Sequence, residues 1–361
     1  MHVRAEYIWM DGGSVNIPVQ NLRSKTRVVN LPDAQTSPIN HESFPVWGFD
    51  GSSTNQATTS NSDQVLTPVR VVNDPIRGGA NFLVLCEVTT PEDLPHETNT
   101  RSRLRDIMMV AEVHEPWFGF EQEYTLYNID SGRPLGWPER GIPHRAQGPY
   151  YCGVGADEVA GRRMVEDHLS ACMRAGLMIY GINAEVMLGQ WEFQIGHRPG
   201  FTNESADPLT VSDHLIFARW LLFRLGEDYG ISATLSCKPE QGDWNGAGAH
   251  TNFSTKEMRD PGTGKSAIAS AIKAMSEVHD EHIKDYGFGL EQRLTGKHET
   301  CDINTFKVGD SDRGCSIRIP AQVAQHGYGY IEDRRPGANC DPYRVCARIL
   351  QTVCIGVAAA V

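Results

Sequence analysis

Over the first hundred residues, short apolar runs alternate with clusters of turn-forming residues. AEYIWM (5–10), TRVVNL (26–31), PVWGFD (45–50), VRVV (69–72) and NFLVLCEV (81–88) are rich in β-branched and aromatic side chains, and Gly, Asp, Ser and Asn separate them. This pattern predicts a small β domain over residues 1–100, with 91–100 as its connection to the rest of the chain. The polar tract 52–63 reads by composition as a flexible linker. Asp50, ending a strand at the mouth of that loop, is in a common position for function.

From residue 101 to 361 the periodicity changes. Helices are predicted over 101–113, 156–175, 213–228, 265–286 and 341–357. In the second of these Val165, Leu169 and Cys172 recur at helical spacing. Strands are predicted at 116–128, 231–239, 249–255, 314–320 and 328–336, and GINAEVMLGQWEFQ (181–194) reads as a tight hairpin turning at Gly189. By itself, this alternation points to an α/β sheet closed or nearly closed into a barrel.

Candidate chemistry centres on acids in apolar frames. The hairpin brings Glu185 near Glu192, and in FEQEY the acids Glu121 and Glu123 are two apart and share one strand face. Like charges so placed are ordinary if solvated; if buried, they need a cation between them. Composition narrows the partners. A formal charge of −12 on 361 residues argues against nucleic acid. Nine scattered cysteines without a C-x-x-C pair predict free thiols, no structural zinc and a reducing, cytoplasmic setting. No stretch has the apolar length of a signal peptide or a membrane span.

Seven motifs occur in order: FDGSST (49–54), FEQEY (120–124), INAEVMLGQWEFQ (182–194), GDWNGAGAHTNFST (242–255), RLTGKHET (293–300), DRGCSIRIP (312–320) and YIEDRRP (330–336). Together they closely resemble the type II glutamine synthetase family over nearly the whole chain. The resemblance implies an α+β protein, with an N-terminal β-grasp domain (1–100) and a catalytic domain (101–361) built on a barrel-like antiparallel sheet surrounded by helices. It also implies an ATP-dependent ligase joining L-glutamate to ammonia through γ-glutamyl phosphate, working as a decamer of two pentameric rings.

By the same resemblance, Glu123, Glu185 and Glu192 hold one magnesium or manganese ion, and Glu121, His250 and Glu332 hold a second. Arg293 and Arg334 take the carboxylates of glutamate, with Asn245 and Gly246 against its main-chain groups. Arg313 and Arg318 take the ATP phosphates, and Asn252 and Ser254 contact the nucleotide. Asp50 deprotonates ammonium in the neighbouring subunit's site, with Ser53, Tyr150 and Glu185 completing that pocket, and Glu299 lies on a flap that shields the intermediate. Leu188, His197, Cys301, Asp310 and Cys315 depart from the family pattern, as do Ser236, Cys237 and the stretch 142–146. They leave open a related ligase for another small amine, such as hydrazine, hydroxylamine or an alkylamine. A non-catalytic ring scaffold is a third reading, disfavoured because all six ligand positions are filled.

Overall fold

The structure is a computed structural model describing residues 1–14, 19–31, 39–143, 145–196 and 204–356. Its N-terminal part is a five-stranded sheet of β1 (His2–Met10), β2 (Leu22–Asn30), β3 (Trp47–Asp50), β4 (Asp63–Asn73) and β5 (Phe82–Thr89), in the order β2-β1-β5-β4-β3. β1 and β5 run parallel at the centre, as in a β-grasp domain, and the other pairs are antiparallel. β5 is buried along its whole length, which explains its unbroken apolar run. Val84, Cys86 and Val88 face the small N-terminal core, while Leu83 and Leu85 on the opposite face join the main core. The 52–63 tract is not a loose linker. Thr54 Oγ1 donates to the Gly51 carbonyl at 3.1 Å, and Gln56 Nε2 reaches the Met10 carbonyl at 3.2 Å and Thr98 Oγ1 at 2.8 Å.

The remainder comprises α1 (Thr100–Ala111), β6 (Trp117–Asn128), β7 (Arg133–Pro134), α2 (Arg162–Arg174), β8 (Ile179–Ala184), β9 (Gln190–Gly196), α3 (Pro208–Tyr229), β10 (Ile231–Thr234) and β11 (Ala249–Ser254). After these come α4 (Lys256–Arg259), α5 (Gly264–Glu277), α6 (His279–Asp285), α7 (Leu290–Arg293), β12 (Val308–Asp310), β13 (Ile317–Ile319), α8 (Ala321–His326), β14 (Ile331–Asp333) and α9 (Pro342–Leu350). The sheet runs β12-β13-β14-β11-β6-β9-β8, with β10 and β7 pairing the far end of β6. Strand–helix alternation suggested an α/β sheet closing on itself. Instead the sheet is a curled half-barrel, antiparallel everywhere except between β12 and β13.

Several helices begin or end differently from the sequence expectation. α2 starts at Arg162 because Gly161 is left-handed (φ 83°), and a Cβ there would lie 2.4 Å from Leu126. The 265–286 helix breaks at Val278 into α5 and α6, and the 341–357 helix passes at Gln351 into a π turn over Gln351–Ile355; position 357 lies outside the described residues.

One buried carboxylate ties the two parts together. Asp213 in α3 accepts from Arg70 of β4 (2.7 Å), twice from Arg101 of α1 (2.8 and 2.9 Å) and from the Tyr343 hydroxyl of α9 (2.8 Å). Arg101 also pairs with Glu87 of β5 at 2.7 Å.

Candidate active site

β6 is the spine of the site. Phe120, Gln122 and Tyr124 turn into the buried interior, which leaves Glu121 and Glu123 on the concave face. Register then supplies their neighbours. Glu192 of β9 sits opposite Glu123, His250 of β11 opposite Glu121, and Glu332 of β14 opposite Asn252 of β11. Glu185 comes directly after β8 in the hairpin turn, where its N–H donates to the Gln190 carbonyl at 2.9 Å. That turn requires glycine at 189: φ is 91°, and a Cβ would lie 2.7 Å from the Leu135 carbonyl oxygen.

Two groups of three result, Glu123–Glu185–Glu192 and Glu121–His250–Glu332, each with one ligand atom per residue within 4.8 Å of the others. Five of the six residues are buried, and Glu121 is partly exposed. Their electrostatics differ. In the second group Glu332 is held by Arg318 (2.6 Å) and Arg334 (2.5 Å), and His250 Nδ1 stands 3.6 Å from both Glu121 and Glu332. In the first group, no lysine, arginine or histidine among the described residues forms an ion pair with any of the three acids. Only polar donors reach them: Asn183 Nδ2 and the Val186 N–H to Glu185, Gln194 Nε2 to Glu192, and the Gly248 N–H to Glu123.

Burial, with the mutual repulsion of the acids, therefore pushes these carboxyls up. Glu185 rises to about 8, Glu192 goes well above the usual carboxylate range, and Glu123 is raised. Oxygen donors gathered around buried negative charge that the nearby arginines offset only in part suit a hard divalent cation, so the clusters are able to hold metal.

A carboxyl whose folded pKa lies above its unfolded value stabilises the fold below the unfolded pKa, and that contribution is lost as pH rises through the folded one. Metal-free protein is thus expected to lose thermal stability between about pH 4.5 and about pH 8. The increment in Tm given by magnesium should grow over the same window, since cation binding releases protons. Differential scanning fluorimetry with and without magnesium checks this; a pH-independent increment would refute it.

These acids line a cavity of about 340 Å³, whose walls include Asn183, Asn245, Gly246, Arg293, His298, Glu299, Arg313, Arg318, Arg334 and Tyr151. Arg313 is exposed at the rim, with no ion pair among the described residues. Arg293 is more committed than expected for a substrate-binding fork: it donates to the main-chain carbonyls of Arg334 and Arg335 and faces His250 Nε2 at 3.0 Å. A Cβ at residue 246 would lie 2.7 Å from both Arg293 Cγ and the Cys237 carbonyl oxygen, so glycine is required there.

Other expected residues lie elsewhere. Tyr150 is buried away from the site, its hydroxyl 3.3 Å from the Arg145 carbonyl, and it lines a separate cavity; the adjacent Tyr151 faces the acids instead. Successive side chains in the tight turn after Gly148 point opposite ways, which sequence could not resolve. Asn252 and Ser254 line a neighbouring cleft with Trp117, Tyr180 and Tyr330, and Asn252 Nδ2 donates to Glu121 at 2.9 Å, linking the two spaces. Asp50 and Ser53 are outside this chain's cavity, on the exposed corner of the N-terminal sheet. There Ser52 and Ser53 hydroxyls donate to Asp50 at 2.7 and 2.9 Å and hold its carboxyl below the usual range.

None of the described departures from the family pattern lines the cavity. Leu188 is buried against the separate space behind the hairpin. Cys301 donates to the Thr305 carbonyl, Cys315 to those of Asp312 and Ile317, and Asp310 is exposed on β12. His197 lies outside the described residues.

A β-grasp domain followed by a half-barrel whose concave face gathers two buried acid groups and a rim of arginines defines a class: enzymes with an acid-lined cavity able to hold cations. Within that class the chain belongs to the glutamine synthetase family. Residues 4–91 match the family's β-grasp domain and residues 97–283 its catalytic domain. The chain is 53% identical to the chloroplastic glutamine synthetase of Chlamydomonas reinhardtii, over 98% of this chain and 90% of that one. It is 52% identical to a glutamine synthetase of Streptomyces viridochromogenes, over 98% and 97%. It is 47% identical to the cytoplasmic glutamine synthetase 2 of Drosophila melanogaster, over 98% and 91%.

Proposed function

We infer that the chain is an ATP-dependent ligase condensing L-glutamate with ammonia to give L-glutamine, ADP and phosphate. The observation that carries this reading is the single cavity in which two buried acid groups meet the rim arginines. In the first half-reaction the glutamate side-chain carboxylate attacks the terminal phosphoryl of ATP, anion against anion, and γ-glutamyl phosphate forms. Glu123, Glu185 and Glu192 would hold one magnesium or manganese ion and Glu121, His250 and Glu332 another, and cations held there would supply positive charge against the developing phosphate charge. Arg313, at the rim and without an ion pair among the described residues, suits the transferring phosphate, while Arg318 and Arg334, both on Glu332, fix that acid and present their remaining donors to anions. Asn245 and Gly246 take the glutamate main chain, and Trp117, Asn252, Ser254 and Tyr330 offer the adjoining cleft to the nucleotide.

The second half-reaction needs ammonia, which binds as ammonium and gives up a proton. Glu185 faces the cavity for this, with Tyr151 in the place assigned to Tyr150. Asp50 is ionised, exposed and remote from its own chain's cavity, which suits service in a neighbouring subunit of a ring, here a decamer of two stacked pentamers. Nine free thiols, and no helix among the described residues long and apolar enough to cross a membrane, accord with a cytoplasmic location.

Another amine would need an altered pocket, and no described departure reaches the cavity. Product mass from protein given ATP, magnesium and glutamate with equal concentrations of ammonium, hydroxylamine, hydrazine and methylamine tests the reading. Glutamine is expected to dominate; a γ-glutamyl hydroxamate, hydrazide or methylamide as main product would overturn it. In the same assay Asp50→Ala is expected to suppress amide formation while leaving ATP binding in place. Loss of nucleotide binding instead would show that Asp50 has another role.

A further inference from the structure

Three segments meet at the rim of the cavity: the loop carrying Gln147, the loop carrying Asp243 and Asn245, and the flap carrying His298, Glu299 and Thr300. Both His298 and Glu299 are left-handed, at φ 53° and 60°. Side chains disfavour that conformation, so two consecutive residues hold it only where contacts over-determine them.

The contacts can be traced from one obligatory donor. The Asn245 main-chain N–H can only donate, and it donates to Gln147 Oε1. This fixes the amide, so Gln147 Nε2 donates to His298 Nδ1. Nδ1 is then a lone-pair acceptor, and the ring proton lies on Nε2, 2.9 Å from Asp243 Oδ1. Every donor in the chain thus meets an acceptor. On its other side Arg334 Nη2 donates to the Glu299 carbonyl at 3.3 Å, and Thr300 Oγ1 donates to the Arg293 carbonyl at 3.2 Å.

We propose that the Asn245–Gln147–His298–Asp243 chain is a latch, and that His298 is a positioning residue holding Glu299 over the cavity during turnover. The proposal rests on the reading of Glu299 as part of a flap. A loosened flap admits water to γ-glutamyl phosphate. Water then attacks the γ-carbonyl carbon, the carbon–oxygen bond to phosphate breaks, and glutamate and inorganic phosphate leave with no amide formed. ATP is consumed without product.

The readout is ADP formed per glutamine at saturating ammonium, together with KM for ATP. His298→Ala and Asp243→Ala are expected to raise the ratio at least twofold above the parent's, with KM for ATP unchanged. Asp243→Asn, whose amide oxygen still accepts from Nε2–H, should keep the parent's ratio. Asp243 is 90% exposed, so its variants test the latch even if His298→Ala does not fold. Turnover that falls in both alanine variants with the ratio unmoved would overturn the latch. Glu299→Ala, assayed alongside, separates the two ideas. If it uncouples while His298→Ala and Asp243→Ala do not, only the latch fails; if it leaves rate and ratio at parental values, the flap reading itself fails.

Discussion

Glu192→Gln is expected to lower glutamine formation by roughly 10²–10³-fold, the scale for removing one preorganised electrostatic group from a reacting centre. In metal-free protein the same substitution is expected to raise the melting temperature. The two effects have one cause. Glu192 is buried and faces Glu121, Glu123 and Glu185, and burial followed by these three charges pushes its carboxyl well above the usual range. A neutral amide of the same shape removes the repulsion, and its carbonyl oxygen still accepts from Gln194 Nε2. What it cannot do is contribute charge to a cation site whose other donors are Glu123 and Glu185. The gain in Tm on adding magnesium should therefore shrink as the metal-free Tm rises, the usual trade between stability and a strained site. Glutamine formation and melting curves with and without magnesium measure both arms. An active variant with an undiminished magnesium increment would remove Glu192 from the site.

The pairing of the acids was legible because strand period and hairpin geometry are local. Glu121 and Glu123 share a face by a spacing of two, and a turn at Gly189 folds Glu185 back towards Glu192. Their joining to His250 and Glu332 depended on which strand lies beside β6, and no local pattern specifies that β11 does, with β14 on its far side. The ordered motifs carried that part. What stayed hidden was side-chain direction where the backbone is irregular, as with Tyr150 and Tyr151, and the engagement of Arg293 with main-chain carbonyls of the residues just after β14. The latch was hidden for the same reason: it joins residues 147, 243 and 298 through loops, where periodicity says nothing. The start of α3 was a different kind of miss. Asp207–Pro208 is a capping residue followed by proline in the first turn, and the Asp207 side chain accepts from the Thr210 N–H at 2.9 Å. Reading the helix from Asp213 overlooked that signal and made a buried acid look like an ordinary residue at a helix start.

Asp213→Ala is accordingly expected to destabilise the protein by about 3–5 kcal/mol, the range for breaking a buried ion pair by removing one partner. Asp213 is fully buried, and burial alone would raise its carboxyl, but Arg101 and then Arg70 outweigh it and bring the carboxyl below its ordinary value. Such a group contributes stability above its unfolded pKa and loses it as pH falls through the folded one, so the variant's deficit should narrow in acid. Alanine also leaves the Tyr343 hydroxyl without its acceptor and leaves Arg70 with the Thr210 hydroxyl at 2.8 Å and its longer contact with the half-exposed Glu204. Arg101 keeps Glu87, so the damage should concentrate at the junction of β4 with α3 and not inside the N-terminal sheet. Asp213→Asn, which retains a single accepting oxygen, should fall between the parent and alanine. Urea unfolding followed by far-ultraviolet circular dichroism gives the midpoints. A loss below about 1 kcal/mol, the range for exposed ion pairs, would mean that the two parts of the chain are held together by apolar contact and that this network only sets their registration.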